Sequence, residues 1–82
     1  MSIEVRFSGR YKDLVGVESF VVDASQICCV EDVVVEVIFE FSDLRVDKSR
    51  IMVFRDGVNL SYDEQVSDGD VLVFAPPLVS GG

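Results

Sequence analysis

The sequence predicts an α+β domain in which a sheet of four to five strands packs on one main helix. Apolar and polar residues alternate over residues 3–8, apolar residues recur at helical spacing over residues 27–41, and residues 71–75 are almost wholly apolar. With 82 residues, of which 49% are hydrophobic, the chain is long enough for one domain with a single core. We assign residues 1–75 to this domain and residues 76–82 to a flexible C-terminal tail.

The first part of the chain predicts two strands separated by a short connection. Ile3, Val5 and Phe7 alternate with polar residues, which is the period of a strand with one buried face. Residues 9–16 have a glycine at each end of a polar stretch, which predicts a loop or a helical turn. A second strand is predicted at roughly residues 18–23.

The segment from Ile27 to Phe41 is valine-rich, which favours a strand, but its spacing favours a helix. Six apolar residues follow the helical pattern: Val30, Val33, Val34, Val37, Ile38 and Phe41. A strand of about 15 residues would be far longer than usual, so the spacing decides. We predict a helix that begins between Gln26 and Val30 and ends before Ser42.

The remainder of the chain predicts two or three more strands. Apolar residues at 51–54 begin a third strand, and Asp56-Gly57 is a turn signal that leads into residues 58–60. A second turn, at residues 67–70, precedes the apolar run near the C-terminus, whose composition is typical of a central strand. Pro76-Pro77 ends that strand, because proline has no N–H to donate to the sheet.

The charge of the chain argues against two classes of partner. Fifteen acidic and seven basic side chains give a net charge of −8, which is the wrong sign for binding nucleic acid or an anionic membrane. No apolar run reaches the roughly 18 residues of a membrane span, and the N-terminus does not resemble a signal peptide. We expect a cytoplasmic protein that is monomeric when isolated.

Few side chains in this sequence could carry out chemistry. The absence of histidine excludes Ser-His and Cys-His nucleophiles and histidine metal sites. Cys28 and Cys29 are adjacent and form no useful disulfide; a helix dipole could activate Cys29, but we favour a packing role. Asp68 and Asp70 could act as an acid–base pair or a cation site, but we favour hydrogen bonds to backbone donors of their own turn. We therefore expect no catalytic residue, no metal site and no bound cofactor.

The C-terminal third of the chain carries a family resemblance. It contains an Asp68-Gly69-Asp70 turn, the apolar strand, Pro76-Pro77 and a terminal Ser80-Gly81-Gly82. This ending resembles the MoaD/ThiS family of ubiquitin-like sulfur carriers, particularly its molybdopterin synthase small subunits, and residues 5–16 are similar to the family's first strand and loop. The resemblance implies a β-grasp fold. One departure is Cys29, near the helix start, where members commonly have a threonine cap.

The resemblance also implies a function for the terminal carboxylate of Gly82. An E1-like adenylyltransferase would use ATP to adenylate it, and sulfur would then replace AMP to give a thiocarboxylate. A larger molybdopterin synthase-type subunit would accept that sulfur, so that the carrier itself is not an enzyme and the catalytic residues lie on the partner. Ser80, Gly81 and Gly82 are small enough to thread into a narrow pocket.

Docking to such partners requires a surface beside the tail. The partner-binding candidates are the apolar residues and prolines expected near the tail exit: Phe7, Phe54, Phe74, Pro76, Pro77, Leu78 and Val79. Core packing is the favoured alternative for each phenylalanine taken singly. Leu78 and Val79 are the best candidates because they follow the last predicted strand.

Three other functions remain open at the level of sequence. The sulfur acceptor could belong to thiamine synthesis, tRNA thiolation or cysteine synthesis instead of molybdopterin synthesis. The protein could be a ubiquitin-like modifier in which Gly82 forms an isopeptide bond with a lysine of another protein. It could also be a plain binding module whose terminal glycines are incidental.

Overall fold

One five-stranded sheet packed on one main helix forms the fold in the computed structural model, which describes residues 2–77. The strands are β1 (Ser2–Phe7), β2 (Ser19–Asp23), β3 (Met52–Arg55), β4 (Val58–Asn59) and β5 (Val71–Ala75). The helices are α1 (Arg10–Val15), α2 (Val30–Glu40) and a 3-10 helix (Ser42–Asp47). The strand order is β2-β1-β5-β3-β4; of the four strand pairs in this described part of the chain, β1–β5 is parallel and the other three are antiparallel. The predicted α+β class and the mixed β-grasp sheet are confirmed.

Alternation along the strands determines which face of the sheet is buried. In β1, Ile3, Val5 and Phe7 are buried, and in β5 the buried residues are Leu72 and Phe74. These side chains pack with the buried face of α2 in one continuous core. The molecule therefore has two layers, a sheet and a helical layer, each with one outward face.

At the start of α2, the carboxylate of Asp32 accepts hydrogen bonds from the backbone although the N-cap residue is not a threonine. Cys29 occupies the N-cap position, within the predicted interval. The carboxylate of Asp32 accepts hydrogen bonds from the backbone N–H groups of Cys28 (3.0 Å) and Cys29 (3.2 Å). These two bonds keep the pKa of Asp32 below its ordinary value. Asp32, in the first turn of α2, therefore serves as acceptor for the N–H groups of the two residues that precede the helix.

Two shorter helical segments accompany α2: the first agrees with the helical turn that the sequence allowed, and the second was not predicted. The connection at residues 9–16 contains α1, which ends at Gly16 in the left-handed conformation (φ 79°). The 3-10 helix directly after α2 was not predicted, and it buries Leu44 and Asp47. No helix within residues 2–77 is both long and apolar enough to span a membrane.

Candidate functional site

The strand that leads to the C-terminal tail lies in the middle of the sheet. In β5, Phe74 is paired with Phe7 of β1 on one side and with Val53 of β3 on the other. The N–H of Ser8 donates to the carbonyl oxygen of Phe74 at 3.0 Å, and Ala75 is paired with Met52. The chain is therefore held from both sides as far as the end of β5.

Beyond β5, Pro76 lies against a glycine with an unusual backbone. Gly9 has φ 61° and ψ −142°, a combination that L-residues avoid. A Cβ atom placed on Gly9 would be 3.5 Å from Cδ of Pro76, so the glycine backbone and the proline ring are close neighbours. Pro76 and Pro77 are both half-buried. The tail consequently starts from a packed base.

A buried carboxylate holds the helix that follows Gly9. Asp47, on the 3-10 helix, is 4% exposed and accepts hydrogen bonds from the Tyr11 hydroxyl (2.7 Å) and from Arg10 (2.8 Å), with Arg50 at 3.4 Å. The Tyr11 hydrogen bond and the two arginines keep the pKa of Asp47 below its ordinary value, although burial opposes them. Burial and the bond to Asp47 raise the pKa of Tyr11 well above its ordinary value. This cluster ties α1 to the helical layer and so fixes the base of the tail.

The outward face of the sheet carries an apolar strip beside the same base. It consists of two cross-strand pairs, Met52 with Ala75 and Phe54 with Val73, all half-buried; we call these four residues the outer strip. On the β1 side of Val73 lies Arg6, which forms an ion pair with Glu4 at 2.7 Å. A half-exposed apolar strip with a polar margin is a surface suited to a protein partner.

The structure corrects two of the predicted partner-binding residues. Phe7 (5% exposed) and Phe74 (0%) belong to the core, because alternation in β1 and β5 turns them toward α2. Their rings pack edge to face, with centroids 6.3 Å apart. Phe54 lies on the opposite face of the sheet and is the one of these three predicted phenylalanines that is partly exposed.

Sequence reasoning missed the other three members of the outer strip. Once Val53, Leu72 and Phe74 are assigned inward, strand alternation predicts that their neighbours point outward. That signal is present in the sequence, but it identifies a continuous strip only when the pairing of β3 with β5 is known. Leu78 and Val79, together with the threading residues Ser80, Gly81 and Gly82, lie outside the described residues and stay predictions.

The two aspartates near β5 make structural hydrogen bonds, but only Asp70 bonds a backbone donor of its own turn, as the sequence predicted; for Asp68 that prediction is wrong. Asp70 accepts hydrogen bonds from the N–H of Ser67 (2.8 Å) and from Arg55 (2.9 Å). Asp68 accepts a bond from the N–H of Ser2 (2.7 Å), so its donor is close in space but distant in sequence. Cys28 and Cys29 are free thiols, and within residues 2–77 no cluster of metal-binding side chains is present.

Solved structures with the same fold include proteins of two kinds. SAMP1, a small archaeal modifier protein from Haloferax volcanii, is 28% identical with a TM-score of 0.81, and the match covers 100% of each chain. A putative molybdopterin converting factor subunit 1 from Pyrococcus furiosus is 21% identical with a TM-score of 0.81, covering 95% of this chain and 99% of that one. A complex of subunits 1 and 2 of molybdopterin-converting factor from Helicobacter pylori is 22% identical with a TM-score of 0.66, covering 99% and 100%.

The family comparison covers almost the whole sequence. No protein of curated function matches the chain significantly. The ThiS family model, however, matches residues 5–82, from β1 through the outer strip and the proline pair to the terminal glycines. The MoaD/ThiS resemblance is thereby confirmed, and the chain belongs to the ThiS family.

Proposed function

We propose that this protein is a sulfur carrier for molybdopterin (molybdenum or tungsten cofactor) synthesis and that Gly82 carries the sulfur as a thiocarboxylate. The observation that carries the proposal is the family match, which extends from β1 to Gly82 itself. The arrangement of β5 also supports it. A central strand, packed at Gly9 and Pro76, gives a tail a firm base directly beside an apolar surface.

The proposed chemistry takes place at one carbonyl carbon. A carboxylate oxygen of Gly82 attacks the α-phosphorus of ATP, a P–O bond forms, and pyrophosphate leaves. A sulfur nucleophile at the oxidation level of sulfide then attacks the acyl carbon, forming a C–S bond while the C–O bond to AMP breaks. The acyl carbon is neither oxidised nor reduced, and the product is the thiocarboxylate. ATP and the sulfur donor are held by the activating enzymes, so this chain binds no cofactor of its own.

In this proposal the outer strip is the docking surface for the larger synthase subunit. The strip runs along β5 and β3 to the point where the chain leaves the sheet. A partner seated on it would therefore have the tail within reach. The Helicobacter pylori relative was solved as a complex of subunits 1 and 2, which supports a partner of this kind. The net charge of −8 favours partners with a basic docking surface.

The proposal places the catalytic groups on the partner. The chain has no histidine, and Asp47, Asp68 and Asp70 are all engaged in structural hydrogen bonds. Its own contribution is to present Gly82 in a geometry that an E1-like adenylyltransferase and the larger subunit both accept. Small residues at positions 80–82 suit a narrow channel.

Intact mass measurement of the protein purified from its host tests the proposal. A fraction of the protein should be heavier by the difference between one sulfur and one oxygen atom, and that fraction should disappear when Gly82 is deleted. A host that carries the deletion should lose molybdopterin. Unchanged molybdopterin in that host would contradict the proposal.

A second candidate function is that of a ubiquitin-like modifier. It is favoured by the similarity to SAMP1, which is 28% identical over the full length of both chains. In that case Gly82 would form isopeptide bonds with lysines of other proteins, and conjugates would appear at higher mass. Digestion of those conjugates should yield lysine side chains linked to the C-terminal glycines.

Alternative sulfur acceptors are separated by the phenotype of the deletion. Loss of thiamine, of thiolated tRNA or of cysteine synthesis, with molybdopterin intact, would assign the carrier to one of those pathways. Supplying the missing product should then restore growth.

A further inference from the structure

Two large apolar side chains are exposed on the outward side of α2, which they share with the exposed Glu31, Glu36 and Glu40. Phe39 is 85% exposed and Val35 is 51% exposed, although an amphipathic helix normally turns polar side chains to water. Both residues border a shallow groove of about 400 Å³ whose floor includes the buried Ile38. The residues that line this α2 groove are Val35, Ile38, Phe39, Arg45 and Lys48.

The groove also gathers two basic side chains, Arg45 and Lys48. Within residues 2–77, five of the seven basic side chains form ion pairs, namely Arg6, Arg10, Lys12, Arg50 and Arg55. Arg45 and Lys48 form none with the acidic side chains of this part of the chain. The protein as a whole has a net charge of −8, so this groove, with Arg45 and Lys48 beside the exposed ring of Phe39, differs in charge from the rest of the molecule.

The surface continues along the helix. A smaller groove of about 120 Å³ shares Val35 and Lys48 with the α2 groove and extends past Glu31 to Tyr62. The two grooves together offer a track along the outward side of α2 that a short peptide segment could follow. This track lies on the helical layer, whereas the outer strip lies on the sheet layer. A ligand in the α2 groove would therefore leave the outer strip accessible.

We propose that the α2 groove binds an acidic segment of a partner protein that carries at least one large apolar side chain. The apolar side chain packs on Phe39 and Val35, and the carboxylates pair with Arg45 and Lys48. A second copy of this chain fits less well, because two molecules of charge −8 repel each other. The five residues that line the groove are also far fewer than the roughly 20 to 30 that each partner contributes to a stable protein interface. A partner bound in the α2 groove would leave the outer strip and the tail of this protein free to engage another protein at the same time.

Peptide selection on the immobilised full-length chain tests the proposal. Two libraries of short random peptides are used, one combining Asp and Glu with Leu, Phe and Val, the other combining Lys and Arg with the same apolar residues. We expect enrichment from the acidic library only. The affinity of a selected synthetic peptide should decrease as salt is raised, because exposed ion pairs are screened.

Variants locate the binding site of that peptide. Phe39→Ala should weaken binding about 30-fold, the effect of removing an aromatic anchor. The double variant Arg45→Gln/Lys48→Gln should weaken it about fivefold and reduce its salt dependence. Two controls should leave binding unchanged: Phe54→Ala, on the sheet face, and Lys12→Glu, which lowers the net charge by the same amount as the double variant.

Several outcomes would overturn the proposal. They are enrichment from the basic library, failure to enrich peptides from either library, and an affinity that Phe39→Ala does not change. Sedimentation equilibrium of the full chain adds one more. A dimer that dissociates in the Phe39→Ala variant would assign the groove to a second copy instead of an acidic partner.

Discussion

Gly9 lies against the ring of Pro76, so that the second residue after β1 supports the first residue after β5. The two positions are brought together because β1 and β5 are parallel neighbours in register from Glu4 with Val71 to Phe7 with Phe74. Both strands end at the same edge of the sheet. The turn into α1 and the exit of the tail therefore share one small volume, and a change in one is expected to affect the other.

Substitution Gly9→Ala should destabilise the protein by about 1–3 kcal/mol, because φ 61° with ψ −142° is costly for any residue with a Cβ atom. Space is not the obstacle, since the added Cβ would be 3.5 Å from Pro76. Urea unfolding measures the effect. Gly16→Ala is the matched control: its φ of 79° and ψ of 7° are less unfavourable, and nothing lies within 4 Å, so its cost should be smaller. Equal costs would contradict the assignment.

Asp47→Asn should destabilise the protein by about 2–3 kcal/mol, because it replaces a buried carboxylate that accepts charge-assisted hydrogen bonds from Arg10 and a further bond from Tyr11. Urea unfolding at neutral pH is the measurement. Asp43→Asn, at an exposed position of the same 3-10 helix, should change stability by less than about 0.5 kcal/mol. Similar effects for the two variants would show that the buried cluster contributes nothing beyond net charge.

Stability should decrease in acid, and Asp47 should account for part of the decrease. Its pKa in the folded protein is below the ordinary value of about 3.9, so its contribution is fully present above about pH 4. That contribution is lost as the pH falls through the folded-state pKa. Asp32 behaves in the same way, because backbone donors also lower its pKa. Unfolding midpoints measured from about pH 2 to 6 should show a shallower acid slope for Asp47→Asn than for the unchanged protein.

Asp32→Ala should destabilise α2 by about 1 kcal/mol, because the N–H groups of Cys28 and Cys29 lose their acceptor. Thermal unfolding followed by circular dichroism measures the loss. Glu31→Ala, at the adjacent exposed position, removes an equal charge without removing that acceptor. If both substitutions cost the same, the effect belongs to the helix dipole instead of to the two hydrogen bonds.

Phe54→Ala should weaken binding to the larger synthase subunit of the same host by about tenfold or more, because an aromatic anchor at the centre of the outer strip is removed. Titration calorimetry with that subunit measures the affinity, and urea unfolding measures any accompanying loss of stability. Phe39→Ala is the matched control, since it removes the same side chain from the helical layer. An equal loss of affinity for both variants would place the interface elsewhere.

The secondary structure was largely predictable because its signals are local. Strand alternation at residues 3–7 and helical spacing at residues 30–38 each lie within one element, and both predicted the correct buried face. The 3-10 helix at Ser42–Asp47 was missed because its short length leaves too few residues for a period to emerge. The roles of Phe7 and Phe74 were likewise uncertain from the sequence, since apolar composition does not say which face of a sheet a side chain occupies.

The sequence by itself determined the fold class and the family, because both depend on order and composition along the chain, and it is also the basis on which Gly82 is proposed as the sulfur-carrying residue. Only the tertiary structure determined which residues distant in sequence lie in contact. It placed Gly9 against Pro76, Tyr11 against Asp47 and Phe54 beside Val73, pairs that are separated by 19 residues or more in sequence. Such contacts arise from strand order and register, which are set by how the whole core packs. The outer strip and the α2 groove are products of that packing.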